Sequence, residues 1–364
     1  MSTTAALDAA ALYARDSLGL VADMARSVEA FDEARAGAQA ADLVWPPEAV
    51  RNVAICGMGG SAIAGDLVTG AYRERLRMPV AVLRDYYVPG WLGEDTLVIL
   101  SSYSGETEET LTAASQAIER NALCVAITSG GKLGTFYREQ GVPVIDLPPG
   151  LQPRAALLRL LVPLVVVLSR FGVIPPADAE LDDARDAVER GVEALGPRVP
   201  QEVNPAKALA EQLLGTLPIF WGAEATAAVA QRWKGQVNEN AKAPAYWGIL
   251  PEVDHNEICG FEGMGALGPE TRLVLLRDDR HHRQVIRRFE LTRELVEPHV
   301  GGVHEVTAEG RTALGRALDL VMAGDYTSLY LGLLRGVDPG PVEMIGRLKG
   351  RLADTGYGRA QAPR

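Results

Sequence analysis

The chain has 364 residues, 47% hydrophobic and 23% charged, enough apolar material and length for two domains of about 150 residues each. With 47 acidic residues against 36 Lys and Arg, the formal net charge is −11; such a field repels nucleic acid and anionic membrane, so neither is expected as a partner. Cys56, Cys124 and Cys259 fit no zinc spacing and leave an odd thiol if two pair, which suits a reducing cytoplasm.

The stretch Met1 to Arg35 alternates acids, bases and Ala-rich apolar positions. It lacks the basic start and continuous apolar run of a secretion signal and reads as a mature amphipathic helix, so residues 1–45 are expected to be helical. From Val53, short aliphatic runs alternate with helical patterns: VAIC (53–56), PVAVLRDY (79–86), TLVILSSYS (96–104), LCVAITSGG (123–131) and VPVIDLP (142–148). That rhythm predicts an α/β domain over 46–175, a parallel sheet with helices on both faces. The apolar stretch Ala155 to Ile174 is interrupted by Arg159, Pro163 and Arg170, which predicts a buried helix linking two halves in place of a membrane span.

The acidic, Ala-rich segment 177–193 has helical spacing and is expected to belong to a linker over 176–204, its charged face toward solvent. A weaker series of runs follows: PIFWGAE (218–224), AYWGILPE (245–252), TRLVLLRDD (271–279) and GVHEVTAEG (302–310). These predict a second doubly wound parallel-sheet domain over 205–312, an internal structural repeat. Residues 313–364 should hold two C-terminal amphipathic helices broken by Gly336-Val337-Asp338-Pro339-Gly340-Pro341, and a tail fraying from Asp354.

Ligands of open parallel sheets bind beyond the carboxyl ends of the strands. Three loops there are unusual. Cys56-Gly57-Met58-Gly59-Gly60-Ser61-Ala62 follows the first run, Ser101-Ser102-Tyr103-Ser104-Gly105-Glu106-Thr107 the third, and Thr128-Ser129-Gly130-Gly131-Lys132 the fourth. Glycines admit backbone N–H groups close to an anion, hydroxyls donate further bonds, and a following helix adds its positive end. Together they predict a phosphate cradle. Ser104-x-x-Thr107 before Glu108 also fits a plain helix cap. A dinucleotide site is the rival: Gly57-x-Gly59-x-x-Ala62 satisfies the fingerprint and Asp85 stands about 20 residues on, which would make the protein an NAD-binding oxidoreductase. A dinucleotide does not need the hydroxyl-rich loop, whereas a single phosphate monoester does.

GMGGSAIAGDL (57–67), SYSGETEET (102–110), ITSGG (127–131), QPRAAL (152–157), NENAK (238–242) and HNE (255–257) resemble, in family order, the bifunctional phosphoglucose/phosphomannose isomerases of the sugar-isomerase (SIS) superfamily. The resemblance implies two SIS-type domains. It also implies an enzyme interconverting glucose 6-phosphate, mannose 6-phosphate or both with fructose 6-phosphate through a cis-enediolate, without cofactor or metal. It assigns phosphate binding to Gly59, Gly60, Ser61, Ser102, Ser104 and Thr107. Glu239 in NENAK matches the general base, and His255 in HNE the ring-opening residue, which in the family reaches the site across a homodimer interface. Arg154 in QPRAAL matches the residue that stabilises the anionic intermediate, and Lys349 in IGRLKGRL the basic residue of the C-terminal helix.

The chemistry asks for such groups on its own account. One carboxylate can remove a proton and return it to the neighbouring carbon. A fixed guanidinium stabilises the charge that develops on oxygen, and an imidazole suits proton exchange in ring opening near neutral pH.

Plainer readings stand beside these. Glu239 and Lys242 fit a solvated i,i+3 ion pair, Asp254-His255-Asn256 is turn material, and Arg154 after Pro153 fits a helix start. Lys349, between Arg347 and Arg351, fits a helix-end charge. His281 and His282, adjacent in RDDRHHRQVIRR, read as a solvated surface helix and not a metal site. Two positions depart from the family pattern: Glu106 stands where such loops often carry Asn, and Gly340 where Thr is common. A sugar-phosphate sensor and an isomerase of amino-sugar or other ketose phosphates remain alternatives.

Overall fold

Among the described residues of the computed structural model, 6–43 and 49–354, nine strands form two separate parallel sheets. The first contains β1 (Asn52–Cys56), β2 (Val80–Leu83), β3 (Thr96–Ser101), β4 (Leu123–Thr128) and β5 (Val144–Asp146), in the order β2-β1-β3-β4-β5. The inner strands β1, β3 and β4 are mostly aliphatic, as expected where both faces are covered, and β3 is buried at every position. Helices Gly59–Tyr72, Glu108–Glu119 and Gly131–Glu139 follow β1, β3 and β4 as crossovers. Ala54, Val98, Leu100 and Ala126 of the strands pack with Ala113, Ala117, Leu133 and Tyr137 of the helices in one core.

Helix Leu157–Arg170 packs against helix Gly59–Tyr72 and buries Leu157, Leu158 and every residue from Leu160 to Leu168, including Pro163. None of the described helices is long and apolar enough to cross a membrane.

The second sheet contains β6 (Leu217–Ala223), β7 (Tyr246–Leu250), β8 (Thr271–Arg277) and β9 (Val303–Thr307), in the order β7-β6-β8-β9. With β6 matched to β1, this is the first sheet's order without its outermost strand, the repeat expected from the rhythm of the sequence. Trp221, Leu273 and Leu275 pack with Phe289 and Val296 of helix Arg283–Val296.

The chain divides into two compact units. Glu29–Asp178 with helix Glu343–Asp354 carries the first sheet, and residues 6–28 with Ala179–Pro341 carry the second. Cys56 and Cys124 are buried, Cys259 is exposed, and all three are free thiols.

Three local expectations change. The N-terminal segment is not one helix but a series, Ala10–Tyr13, Leu20–Ala25 and Ser27–Ala40. Gly19 breaks the chain at φ 69°, and the Asp16 carboxylate restarts it by accepting from Leu20 N (3.0 Å) and Val21 N (2.8 Å). The acidic helix Asp178–Leu195 forms, yet Asp183 faces inward at 1% exposure. It accepts from Thr312 N (2.6 Å), Thr312 Oγ1 (2.8 Å) and Arg311 Nε (2.9 Å). His281, expected in solvent, is 5% exposed and stacks on Phe289 with centroids 5.7 Å apart. The tail expected to fray from Asp354 falls at 355–364, outside the described residues, as do 1–5 and 44–45 of the expected N-terminal helical segment.

Candidate active site

β1 and β3 are neighbours, with Cys56 opposite Leu100, while β2 lies on the other side of β1. The loops after β1 and β3 therefore leave from the point where the strand order reverses, where open α/β sheets bind ligands. The first loop enters helix Gly59–Tyr72 and the second enters helix Glu108–Glu119, so each brings free N-terminal amides with it. Ser102 Oγ lies 3.1 Å from Thr107 Oγ1 and accepts from Gly105 N (3.2 Å), while Ser104 Oγ accepts from Glu106 N (3.3 Å). The three hydroxyls thus share one turn. Thr107 occupies the N-cap position but makes no side-chain cap bond, so the plain capping arrangement is not the one adopted.

That turn is possible only with glycine at 105. Its φ is 66°, and a β-carbon would sit 1.9 Å from Gly130 O. The third loop plays a different part from the one expected. Ser129 Oγ donates to Tyr103 O (2.6 Å), Thr128 Oγ1 donates to Gly130 O (2.9 Å) and Leu133 N donates to Gly105 O (3.0 Å). Ser129 and the Leu133 amide thus brace the second loop, and Thr128 closes the third loop on itself.

Arg154 is 4% exposed. A β-carbon at Gly60 would lie 3.0 Å from Pro153 O and 3.6 Å from Arg154 Cα, so the first loop rests directly on the Pro153–Arg154 backbone. Tyr103, which sequence reasoning missed, holds the approach to that segment: its hydroxyl donates to Pro148 O (2.8 Å) and accepts from Leu151 N (3.1 Å). An aromatic residue inside a Ser/Gly loop was the available signal. Gly59, Gly60, Ser61, Ser102, Ser104, Thr107 and Arg154 are thereby gathered around the carboxyl ends of β1 and β3.

Glu239 and His255 belong to the other unit. Glu239 is half-buried near the end of helix Ala227–Asn240. Arg232, Gln236 and Asn240, four residues apart, form one buried polar face of that helix, and all three meet helix Ala313–Leu334. Arg232 Nε and NH2 contact Asp325 at 2.9 and 2.5 Å, Gln236 Nε2 donates to Asp325 Oδ1 (3.0 Å) and Asn240 Nδ2 to Ser328 Oγ (2.9 Å).

The helix end is held as closely. Asn238 Nδ2 donates to Ala243 O (2.8 Å), Arg335 Nε to Ala241 O (3.0 Å), and Lys242 Nζ to Glu239 O and to Pro339 O. The neighbours of Glu239 in its motif therefore fix the backbone on which it stands. His255 is exposed on a short 3-10 turn, Glu252–His255. That turn is anchored through Asp254, which accepts from Thr292 Oγ1 (2.7 Å) and Arg288 NH1 (2.8 Å). Lys349 lies in helix Glu343–Asp354 and is exposed.

Residues 202–352 match the bacterial phospho-glucose isomerase C-terminal SIS domain, and residues 49–134 match the SIS domain. Over 308 residues the chain is 41% identical to the bifunctional phosphoglucose/phosphomannose isomerase of Caldicellulosiruptor bescii, covering 84% of this chain and 91% of that protein. The chain belongs to the bifunctional phosphoglucose/phosphomannose isomerase family. The Aquifex aeolicus protein of the same name is 36% identical over 307 residues, 83% of this chain and 90% of that one. In fold, the chain is similar to a glucose-6-phosphate isomerase like protein from Thermus thermophilus, with TM-score 0.62 and 24% identity over 92% of this chain and 97% of that one.

Within this isomerase family's pattern, the two departures acquire structural settings. Glu106 turns toward the third loop, where Oε1 accepts from Lys132 N (3.0 Å) and Oε2 pairs with Lys132 Nζ (3.0 Å). Gly340 packs on Leu18, whose Cγ would be 2.7 Å from a β-carbon there. A larger residue at that position would force Leu18 aside. His282 is an N-cap, its Nδ1 accepting from Gln284 N (3.2 Å). Among the described residues, no group of three or more His, Cys, Asp and Glu side chains is placed to hold a metal.

Proposed function

We propose that the chain interconverts glucose 6-phosphate and mannose 6-phosphate with fructose 6-phosphate, working in the cytoplasm as a homodimer. The observation that carries this reading is the convergence of the two loops and Arg154 on one end of the first sheet, in a chain of this family. Neutral hydroxyls and helix-terminal amides suit a phosphate dianion because they donate without a competing charge. Gly59, Gly60, Ser61, Ser102, Ser104 and Thr107 hold it.

With the phosphate held, the other end of the sugar is chemically free. His255, supplied by the second copy of the chain, exchanges protons with the ring oxygen and the anomeric hydroxyl, assisted by Lys349, and opens the ring. Glu239 removes the proton from C2 of the aldose, giving the cis-enediolate, and returns it to C1 of the ketose. Arg154 stays protonated throughout and stabilises the oxygen charge of the intermediate. Glucose and mannose differ only at C2, so one carboxylate serves both epimers if the sugar rotates about a single bond.

The test is a coupled assay of purified protein against glucose, mannose, glucosamine and pentose phosphates, with and without nicotinamide cofactor. Cofactor-independent turnover of both hexose 6-phosphates is expected. Binding without turnover would favour the sensor, and turnover confined to another phosphosugar would reassign the substrate.

A further inference from the structure

The second loop contains an acid where a dianion is to be held. Glu106 lies between Ser104 and Thr107, its own N–H bonded to Ser104 Oγ, and Glu108 and Glu109 follow at the start of the next helix. A phosphate monoester carries nearly two negative charges at neutral pH, and unit charges about 8 Å apart still interact measurably near a protein surface. Lys132 is the sole Lys or Arg within the three loop segments 56–62, 101–107 and 128–132. Its ammonium meets the Glu106 carboxylate at 3.0 Å.

We infer that Lys132 is the counter-charge of the phosphate loop: paired with Glu106, it sets the affinity for the substrate's phosphate without touching the reacting carbons. The inference rests on the phosphate-cradle reading above. The pair has two separable halves. Glu106 Oε1 is held by the backbone N–H of Lys132, which survives any side-chain change at 132, whereas the charge balance depends on the ammonium alone. Lys132→Met therefore leaves the loop tied but unbalances it negatively. Glu106→Gln keeps an acceptor for Lys132 N and unbalances it positively.

The experiment measures KM for glucose 6-phosphate and the inhibition constant of inorganic phosphate at about 0.01 M and about 1 M ionic strength. At low salt, Lys132→Met should raise both constants about threefold to tenfold and Glu106→Gln should lower both, with kcat within about twofold. The double variant should return close to the starting values, and high salt should shrink every difference below about twofold. If both single variants shift the constants in the same direction, or neither shifts them, Lys132 is not the counter-charge. Ser104→Ala with Thr107→Ala, assayed alongside, separates the two levels. Undiminished phosphate inhibition in that variant would overturn the cradle reading itself, while weakened inhibition beside inert Lys132 and Glu106 variants would overturn the counter-charge alone.

Discussion

The same turn is built twice with different side chains. After β1 the chain runs Gly57-Met58-Gly59-Gly60-Ser61, and along β6 into the next helix Gly222-Ala223-Glu224-Ala225-Thr226. The third residue is left-handed in both, φ 51° at Gly59 and 46° at Glu224. Glycine takes that conformation freely, whereas at Glu224 it costs about 1 kcal/mol or more. The Glu224 carboxylate faces the N–H of His282 at 3.3 Å, at the start of helix Arg283–Val296, so a built-in anion stands where a helix would otherwise receive one. Thr226 Oγ1 accepts from Ala223 N (2.9 Å) and lies 3.0 Å from both Ala223 O and Leu276 O. Asp278 after β8 pairs with Arg316 (2.8 Å). The two turns share a backbone conformation and differ in the charge and prior commitments of their side chains, which is the difference the proposed phosphate site depends on.

Four variants would break or sharpen that contrast. The largest effect is expected in the second unit's helix. Glu239→Gln should cut kcat at least about a hundredfold, about 2.7 kcal/mol of barrier, with KM little changed. Glu74→Gln, at the matching distance from the first unit's turn, should leave kcat alone; equal losses in steady-state assays would remove the asymmetry. Next, Ser104→Ala with Thr107→Ala should raise KM about tenfold while the midpoint of urea unfolding stays close to its original value. Thr226→Ala should do the reverse, costing about 1–3 kcal/mol in urea unfolding because a buried N–H is orphaned, with KM unmoved.

The smallest effect concerns pH. Burial lowers the pKa of His281 below its ordinary 6.5, opposed by Asp278 and Glu224 and reinforced by Arg277 and Arg316. Because the folded imidazole resists a proton that the unfolded one accepts, stability should fall as pH drops below about 6.5, by at most about 1.4 kcal/mol per unit. His281→Gln should flatten that slope in unfolding titrations between pH 7 and pH 5.5.

Much of this is legible in the sequence because strand alternation and Gly/Ser/Thr clustering are local signals. PVAVLRDY and TRLVLLRDD announce strands without help from tertiary contacts, and GMGGS and SSYSGET mark their loops by composition. What escapes depends on partners distant in the chain. Nothing near Tyr103 says that its hydroxyl will meet Pro148 and Leu151, and nothing near Asp325 names Arg232 and Gln236. His281 is misplaced by its sequence because the Arg and Asp residues around it read as solvent, while the Phe289 ring it stacks on lies nearly two turns into the following helix. The third loop misleads for the complementary reason: composition shows that hydroxyls are present, not that Tyr103 O and Gly130 O already engage them.

The free thiols divide in a way that offers a handle on the solution behaviour of the chain. Burial pushes Cys56 and Cys124 up to about 12, leaving exposed Cys259 as the sulfur a maleimide dye meets at neutral pH. It stands four residues after His255 in the sequence. Labelling speed followed across a dilution series would therefore test the proposed homodimer with the native polypeptide as its own reporter: faster labelling on dilution is expected if a second copy covers this stretch, and an unchanged rate would place the interface elsewhere.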